Sequence, residues 1–390
     1  MLVIIHYAEI ALKGGNRNFF EEKLVENIRK SLTQKGIVFD YAKRIYGRIL
    51  LELPGTIPGE FYRGSSPVSL VLQNIFGIAH FSLVEKCEKD IEKIKEKALE
   101  VLSQKDFVTF KVEAKRSDKK FFLSSQQINE QVGEAVMDGL VKKVDLHNPD
   151  VILYIEITEK DVFLYTEKIK GPGGLPLGVS GKAICLISGG IDSPVAAWYL
   201  MKRGVENVFV HFYSTQQGYE QSLEKVRDLV QALNAFQLKS KIYLVPFSEI
   251  QKEILLNTQA DLRVVLYRRF MFRVSEEIAL KEGAKALITG ENVGQVASQT
   301  LDNMLVISEA TSLPILRPLA GFDKIEIIEI AKKINTYEIS ILPHLDCCSM
   351  FVPEHPSTKA NLKEVIKQEK KLKIKKLITS ALKNTKIETI

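Results

Sequence analysis

The chain has 390 residues, 45% hydrophobic and 26% charged, with a formal net charge of +6. That length supports two or three domains with cores of their own, and the composition excludes disordered and fibrous classes. No apolar run reaches the ~20 residues of a membrane span, no signal-like N-terminus is visible, and four cysteines are too few for a disulfide scaffold, so a cytoplasmic protein is expected.

Taken in chain order, residues 1–75 read β-α-β followed by a short helix. Leu2–Tyr7 is a strand, and Phe19, Phe20, Leu24, Val25, Ile28 and Leu32 recur at helical spacing over Asn18–Lys35. Ile45–Leu53 reads as one further strand. The Gly-rich loop Glu9–Arg17 carries Lys13 and Arg17 ahead of that helix, where they either meet a phosphate or lie in a solvated turn. Pro54–Pro67 is a connection.

A second unit spans residues 76–170: a strand over Gly77–Glu85, an amphipathic helix over Asp90–Leu102, and a strand over Phe107–Ala114. A helix over Ser125–Leu140 and a hairpin turning at Glu159-Lys160 complete it. Lys111, Lys115, Arg116, Lys119 and Lys120 gather near Phe121 and Phe122, opposed by Glu113 and Asp118 alone. Cations beside stacking rings suit an RNA backbone and its unpaired bases, so Lys115, Arg116, Lys119 and Lys120 join Lys13 and Arg17 as candidate RNA contacts.

Gly171–Gly178 is a linker rich in Gly and Pro, and a third domain follows over 179–390. Nearly all-apolar strands at Ala183–Ile187, Val208–Phe212, Lys241–Pro246 and Ala286–Thr289 alternate with helices, the pattern of a doubly wound parallel sheet. Between the first strand and its helix stands Ser188-Gly189-Gly190-Ile191-Asp192-Ser193, with Pro194 suited to the first helical turn. The glycines let a ligand approach the backbone, and the free N–H groups at the helix start favour an anion. The strand ends at Ser188–Gly190, His211-Phe212 and Gly290-Glu291 should converge on one pocket. The tail from Lys359 carries ten Lys against three Glu and reads as a basic helix, either a solvated terminal helix or one that touches RNA. Neither Cys-x-x-Cys nor His-Glu-x-x-His occurs, so no zinc site is expected; Cys347-Cys348 falls in a loop after Pro343-His344-Leu345-Asp346.

Ser-Gly-Gly-x-Asp-Ser after a strand resembles the PP-loop of ATP pyrophosphatases. With Lys115–Asp118, Gly173–Pro176, Tyr267–Met271, Thr289–Glu291, Val296–Thr300, Arg317–Leu319, Asp323-Lys324, Glu326 and Asp346–Cys348 in order, the chain resembles the tRNA uridine 4-sulfurtransferase (4-thiouridine synthase, ThiI type) family along essentially its whole length. The resemblance implies an N-terminal ferredoxin-like domain, a THUMP RNA-binding domain and a PP-loop ATP pyrophosphatase domain. It resembles the short form, without the rhodanese-like domain of longer members, so sulfur would come from a desulfurase, a persulfide carrier or sulfide.

The same resemblance implies adenylation of O4 of uridine 8 by ATP with Mg²⁺, then sulfur transfer, in a homodimer. Leu186, Ile187, Ser188, Gly189, Gly190, Asp192, Ser193, His211, Phe212, Arg268, Gly290 and Gln299 would line the adenylate site. Asp192 would position Mg²⁺ or the attacking oxygen, or cap its helix; Lys324 would neutralise phosphate; Cys348, ahead of Cys347, would carry sulfur. Two other classes fit parts of the pattern: a different PP-loop enzyme, such as a 2-thiouridine or lysidine-type ligase, and a non-catalytic RNA-binding module. The missing Cys-x-x-Cys disfavours a 2-thiolation enzyme, a ligase would not need the cysteine loop, and the intact PP-loop disfavours the non-catalytic module.

Overall fold

The computed structural model describes residues 1–55, 65–214, 219–343 and 355–390. It divides into two compact units, Met1–Pro176 and Leu177–Ile390.

The first unit runs β1 (Leu2–His6), α1 (Arg17–Gln34), β2 (Tyr41–Ile45), β3 (Arg48–Glu52), α2 (Pro67–Leu72) and β4 (His80–Cys87). It continues with α3 (Ile91–Ser103), β5 (Thr109–Arg116), α4 (Ser125–Leu140), β6 (Lys143–Val144), β7 (Val151–Ile157), β8 (Val162–Tyr165) and β9 (Ile169–Lys170). One sheet in the order β2-β3-β1-β4-β8-β7-β5-β6 holds them, with β9 on β4. The single strand expected over Ile45–Leu53 is instead the second half of a β2–β3 hairpin. Gly47, at φ +79°, makes the turn between Ile45 and Arg48.

Strand β4 belongs to two cores. His80–Val84 pair with β1, and Phe81 joins Leu24, Ile28 and Leu32 of α1 in the first core. Glu85–Cys87 pair with β8, next to the core in which Ile94, Ala98 and Leu102 of α3 meet Ile128, Val132 and Val136 of α4. The i, i+4, i+8 spacing of those α3 residues makes its buried stripe, and Asp90 caps the helix by accepting the N–H groups of Glu92 and Lys93.

The second unit begins β10 (Lys182–Leu186), α5 (Asp192–Lys202), β11 (Glu206–Tyr213), α6 (Tyr219–Gln237), β12 (Lys241–Pro246), α7 (Ser248–Asn257) and α8 (Arg263–Glu282). There follow β13 (Leu287–Ile288), α9 (Leu301–Ser308), β14 (Ile315–Leu316), α10 (Lys324–Lys333), α11 (Tyr337–Ser340), α12 (Leu362–Glu369), α13 (Ile374–Lys383) and β15 (Lys386–Thr389). The sheet order is β14-β13-β10-β11-β12-β15, parallel except for β15 against β12. The chain fills one side of β10 with β11 and β12, then the other with β13 and β14. The reversal of winding lies between β10 and β13, and crevices form at the carboxyl ends of strands there. The tail expected as one basic helix is α12, α13 and the edge strand β15. Ile184, Leu186, Val208 and Val210 face Leu266, Phe270 and Val274 of α8 in the core beneath this crevice.

Candidate active site

A cavity of about 310 Å³ opens at that reversal point. Its floor is the turn between β10 and α5. The Ser188 N–H donates to Ser193 Oγ at 2.9 Å, and the Ser188 and Ser193 hydroxyls lie 3.2 Å apart. The Gly190 N–H donates to Ser188 Oγ at 3.3 Å. Both hydroxyls therefore brace the loop while lining the cavity. The first N–H groups of α5 have no intrahelical acceptor, and they start at this turn.

Asp192 does not cap its helix, contrary to one sequence reading. It is the first residue of α5, the cap position is Ile191, and no side chain bonds the helix N–H groups there. Its carboxylate instead meets Lys324 Nζ at 2.5 Å and accepts from Gln295 Nε2 at 3.2 Å. Lys324, expected to neutralise phosphate, stands at the start of α10 and reaches the cavity-lining carboxylate of Asp192.

Gly290 closes the loop from the β13 side. A β-carbon there would stand 2.7 Å from the Ser193 nitrogen and 2.8 Å from the Asp192 carbonyl carbon, so only glycine fits this approach. The carboxylate of Glu291, next in the chain and 1% exposed, accepts from Arg268 at 3.0 Å, Arg317 at 2.7 Å and the Thr289 hydroxyl at 3.0 Å. Burial by itself would raise its pKa; the two guanidinium groups outweigh burial and hold it below the ordinary glutamate value. Arg268 thereby stands fixed on α8 as a cavity-lining cation.

The imidazole of His211, at the end of β11, bonds the Ile187 carbonyl through Nδ1 at 2.9 Å. A carbonyl only accepts, so Nδ1 carries the hydrogen. Phe212, Leu186 and Met271 supply apolar wall, and Gln299 accepts the Asn292 N–H at 3.2 Å. All twelve residues expected at an adenylate site line this one cavity. Gln295, Val264 and Val210 line it as well and were not anticipated. Gln295 reaches Asp192 across 103 residues of sequence, and nothing local marks it. Asp192 is the one carboxylate among the described lining residues. Magnesium is commonly held by one or two carboxylates together with substrate phosphates, so this donor set fits a nucleotide-borne ion.

Cys347 and Cys348 lie outside the described residues. Among the candidate RNA contacts of the first unit, Lys115, Lys119 and Lys120 are exposed. Arg116 is half-buried and donates to the Phe121 carbonyl at 3.0 Å. Arg17 is committed internally: it bonds the Tyr7 hydroxyl at 2.7 Å and Glu21 at 2.8 Å, and lies against the rings of Tyr7 and Tyr46. Burial and Glu21 push Tyr7 up to about 12. Lys13 is 3.5 Å from Glu9 and over the Phe20 ring. Of the two aromatics beside the basic stretch, Phe121 is core and only Phe122 is exposed.

Residues 178–374 match the family model described as thiamine biosynthesis protein (ThiI), 88–167 the THUMP domain and 2–82 the ThiI ferredoxin-like domain. A probable tRNA sulfurtransferase of Moorella thermoacetica is 42% identical, covering 100% of this chain and 97% of its own. One from a Thermoanaerobacter species is 44% identical, with 97% of each chain covered. Among solved structures, a 4-thiouridine synthetase–RNA complex with bound ATP superposes at a TM-score of 0.87 and 38% identity, over 100% of this chain and 99% of that one. PH1313 from Pyrococcus horikoshii gives 0.67 at 27% identity, over 86% and 99%. Matched in all three segments and by full-length relatives at this identity, the chain belongs to the ThiI family.

Proposed function

We propose that this enzyme is a tRNA sulfurtransferase that uses ATP to convert uridine 8 of tRNA to 4-thiouridine, acting as a homodimer. The carbonyl oxygen at C4 of uracil is a poor leaving group, so it must first be activated. The uracil O4 attacks the α-phosphorus, the N3 proton is lost, and the α–β anhydride breaks to release pyrophosphate. A sulfur nucleophile then adds at C4, and AMP departs with the former O4.

One observation carries the reading: the PP-loop, Arg268 and the apolar wall share a single cavity at the point where strand winding reverses. The N–H groups of the turn and the first turn of α5 would hold pyrophosphate where negative charge develops. Arg268, held by Glu291, would add a fixed cation, and Leu186, Phe212 and Met271 would enclose the base of the nucleotide. Mg²⁺, arriving with ATP, would neutralise phosphate charge, and Asp192 is the residue to hold it. Lys324 is near enough to Asp192 to share it with such an ion or to turn to a phosphate. Family membership and the names of the relatives support the tRNA substrate and the sulfur chemistry. Cys348, with Cys347 next to it in sequence, is the proposed sulfur carrier, loaded as a persulfide by a desulfurase or a persulfide carrier. Its outer sulfur adds at C4 and a second thiol takes the Cys348 sulfur as a disulfide, whereas sulfide would attack C4 directly without the cysteine.

The test is formation of 4-thiouridine on a tRNA transcript, read by its near-ultraviolet absorbance and mapped by position. Wild type is expected to make product at position 8 from ATP, Mg²⁺ and either sulfide or a persulfide donor, and Cys348→Ala to lose the persulfide-dependent product. Pyrophosphate release that depends on tRNA but leaves no thiolated base would overturn the reading.

A further inference from the structure

The lysine-rich tail has a shape that the adenylation chemistry does not use. Between α12 and α13 runs a groove of about 590 Å³, with Ile366, Leu372 and Ile374 in its lining and Lys370, Lys373, Lys375 and Lys376 around it. All four lysines are exposed. Two of the three glutamates of the tail are consumed by other charges. Glu369, in the groove lining, is bound by Arg269 at 2.8 Å and Arg273 at 2.6 Å, and Glu388 is bound by Arg227 at 2.7 Å. Glu364 accepts from Gln368 and lies 4.0 Å from Lys367. Among the described residues, then, the four groove lysines form no ion pair.

A solvated helix in the same molecule looks different. On α3, Lys93, Lys95 and Lys97 are each 2.5–2.8 Å from a glutamate three residues away. The α12–α13 corner instead concentrates four like charges without neutralising them, and their mutual repulsion opposes folding. The family model ends at residue 374, the first residue of α13, so the rest of that helix lies outside what the model matches.

We propose that this groove is a docking surface for the phosphate backbone of RNA, separate from the adenylation cavity; the proposal rests on the reading that the substrate is tRNA. Lysines are compact point charges that contact phosphates without reading bases, so the groove would add affinity and orientation, not sequence choice. Its position is tied to the site. Glu369 anchors the corner to Arg269 of α8, and the preceding residue, Arg268, lines the cavity.

The experiment measures binding of an unmodified tRNA transcript to the full chain by fluorescence anisotropy across a salt series. In Lys373→Gln, Lys375→Gln, Lys376→Gln, the slope of log affinity against log salt should flatten by about 2, with affinity at moderate salt down roughly tenfold or more. The matching triple Arg variant should bind as wild type does, and the thermal unfolding temperature should fall in neither, the Gln variant gaining slightly from the relieved repulsion. An unchanged slope and affinity in the Gln variant would sink the proposal, as would equal loss in the Arg variant. Wild type that binds the transcript with groove-dependent affinity, yet makes no 4-thiouridine, would leave the groove standing and remove the function reading.

Discussion

Gly290 shows how much one missing β-carbon can matter. The atoms in its way are the backbone of Ser193 and Asp192, which cannot rotate aside as the end of a side chain could. Gly290→Ala should push the PP-loop out of register with the cavity. A shift of about 1 Å at such a site costs on the order of 100-fold in rate. The expected result is that loss in tRNA-dependent pyrophosphate release with an unchanged far-ultraviolet circular dichroism spectrum; full activity would mean that the loop tolerates displacement. Gly290 was legible as a strand end in the sequence, whereas its reason for being glycine is a contact with a loop about a hundred residues earlier. The same distance hid the partners of Asp192. A carboxylate at a helix start reads locally as a cap, and only the fold brings Lys324 and Gln295 to it.

At the scale of elements, what could be read was whatever local pattern decided. The unbroken apolar run of β10, the i, i+4 stripe of α3 and the Ser125–Leu140 helix follow from burial and periodicity alone. The β2–β3 hairpin and the tail depend on pairing that local pattern does not encode. Residues 386–389 read as part of a lysine-rich helix until β12 offers an edge to pair with. Helix α8 illustrates the dependence best, because adjacent residues serve opposite sides: Arg268 lines the cavity, and Arg269, 1% exposed, holds Glu369 and Glu309. Arg269→Met would strand the buried Glu369 with Arg273 as its remaining cation. Removing one partner of a buried pair costs about 3–5 kcal/mol, and Arg273 should keep this case near the lower figure. Urea unfolding monitored at the single tryptophan, Trp198 of α5, reports the second unit and should show that loss. A change under about 1 kcal/mol would mean that α12 is held by its apolar face and not by this cluster.

At the scale of the molecule, the first unit is two cores made continuous by β4 and by a charge network beside it. Glu156 of β7, 5% exposed, meets Arg48 of β3 at 2.6 Å, His6 of β1 at 2.8 Å and the Tyr165 hydroxyl of β8 at 2.6 Å. Each ligand comes from a different strand, so the ferredoxin-like and THUMP-type halves share one buried charge. Burial alone would raise the Glu156 pKa, but His6 and Arg48 bring it down to about 2. A carboxylate depressed in the folded state stabilises fully above its ordinary value of about 4.5. As pH falls below that, the unfolded chain takes up the proton first, and the stabilisation is lost by the time the folded group titrates. At about 1.4 kcal/mol per unit, the loss is on the order of 3 kcal/mol. Burial lowers His80 to about 4, which adds a decline in the same direction starting nearer neutrality. The double variant Arg48→Met, Glu156→Gln removes both charges without orphaning either. It should flatten the acid dependence seen by circular dichroism below pH ~4.5, while the Trp198 transition, in the other unit, keeps its wild-type pH profile. A Trp198 transition that moves with the variant would show instead that the two units unfold together and that the network stabilises the whole chain.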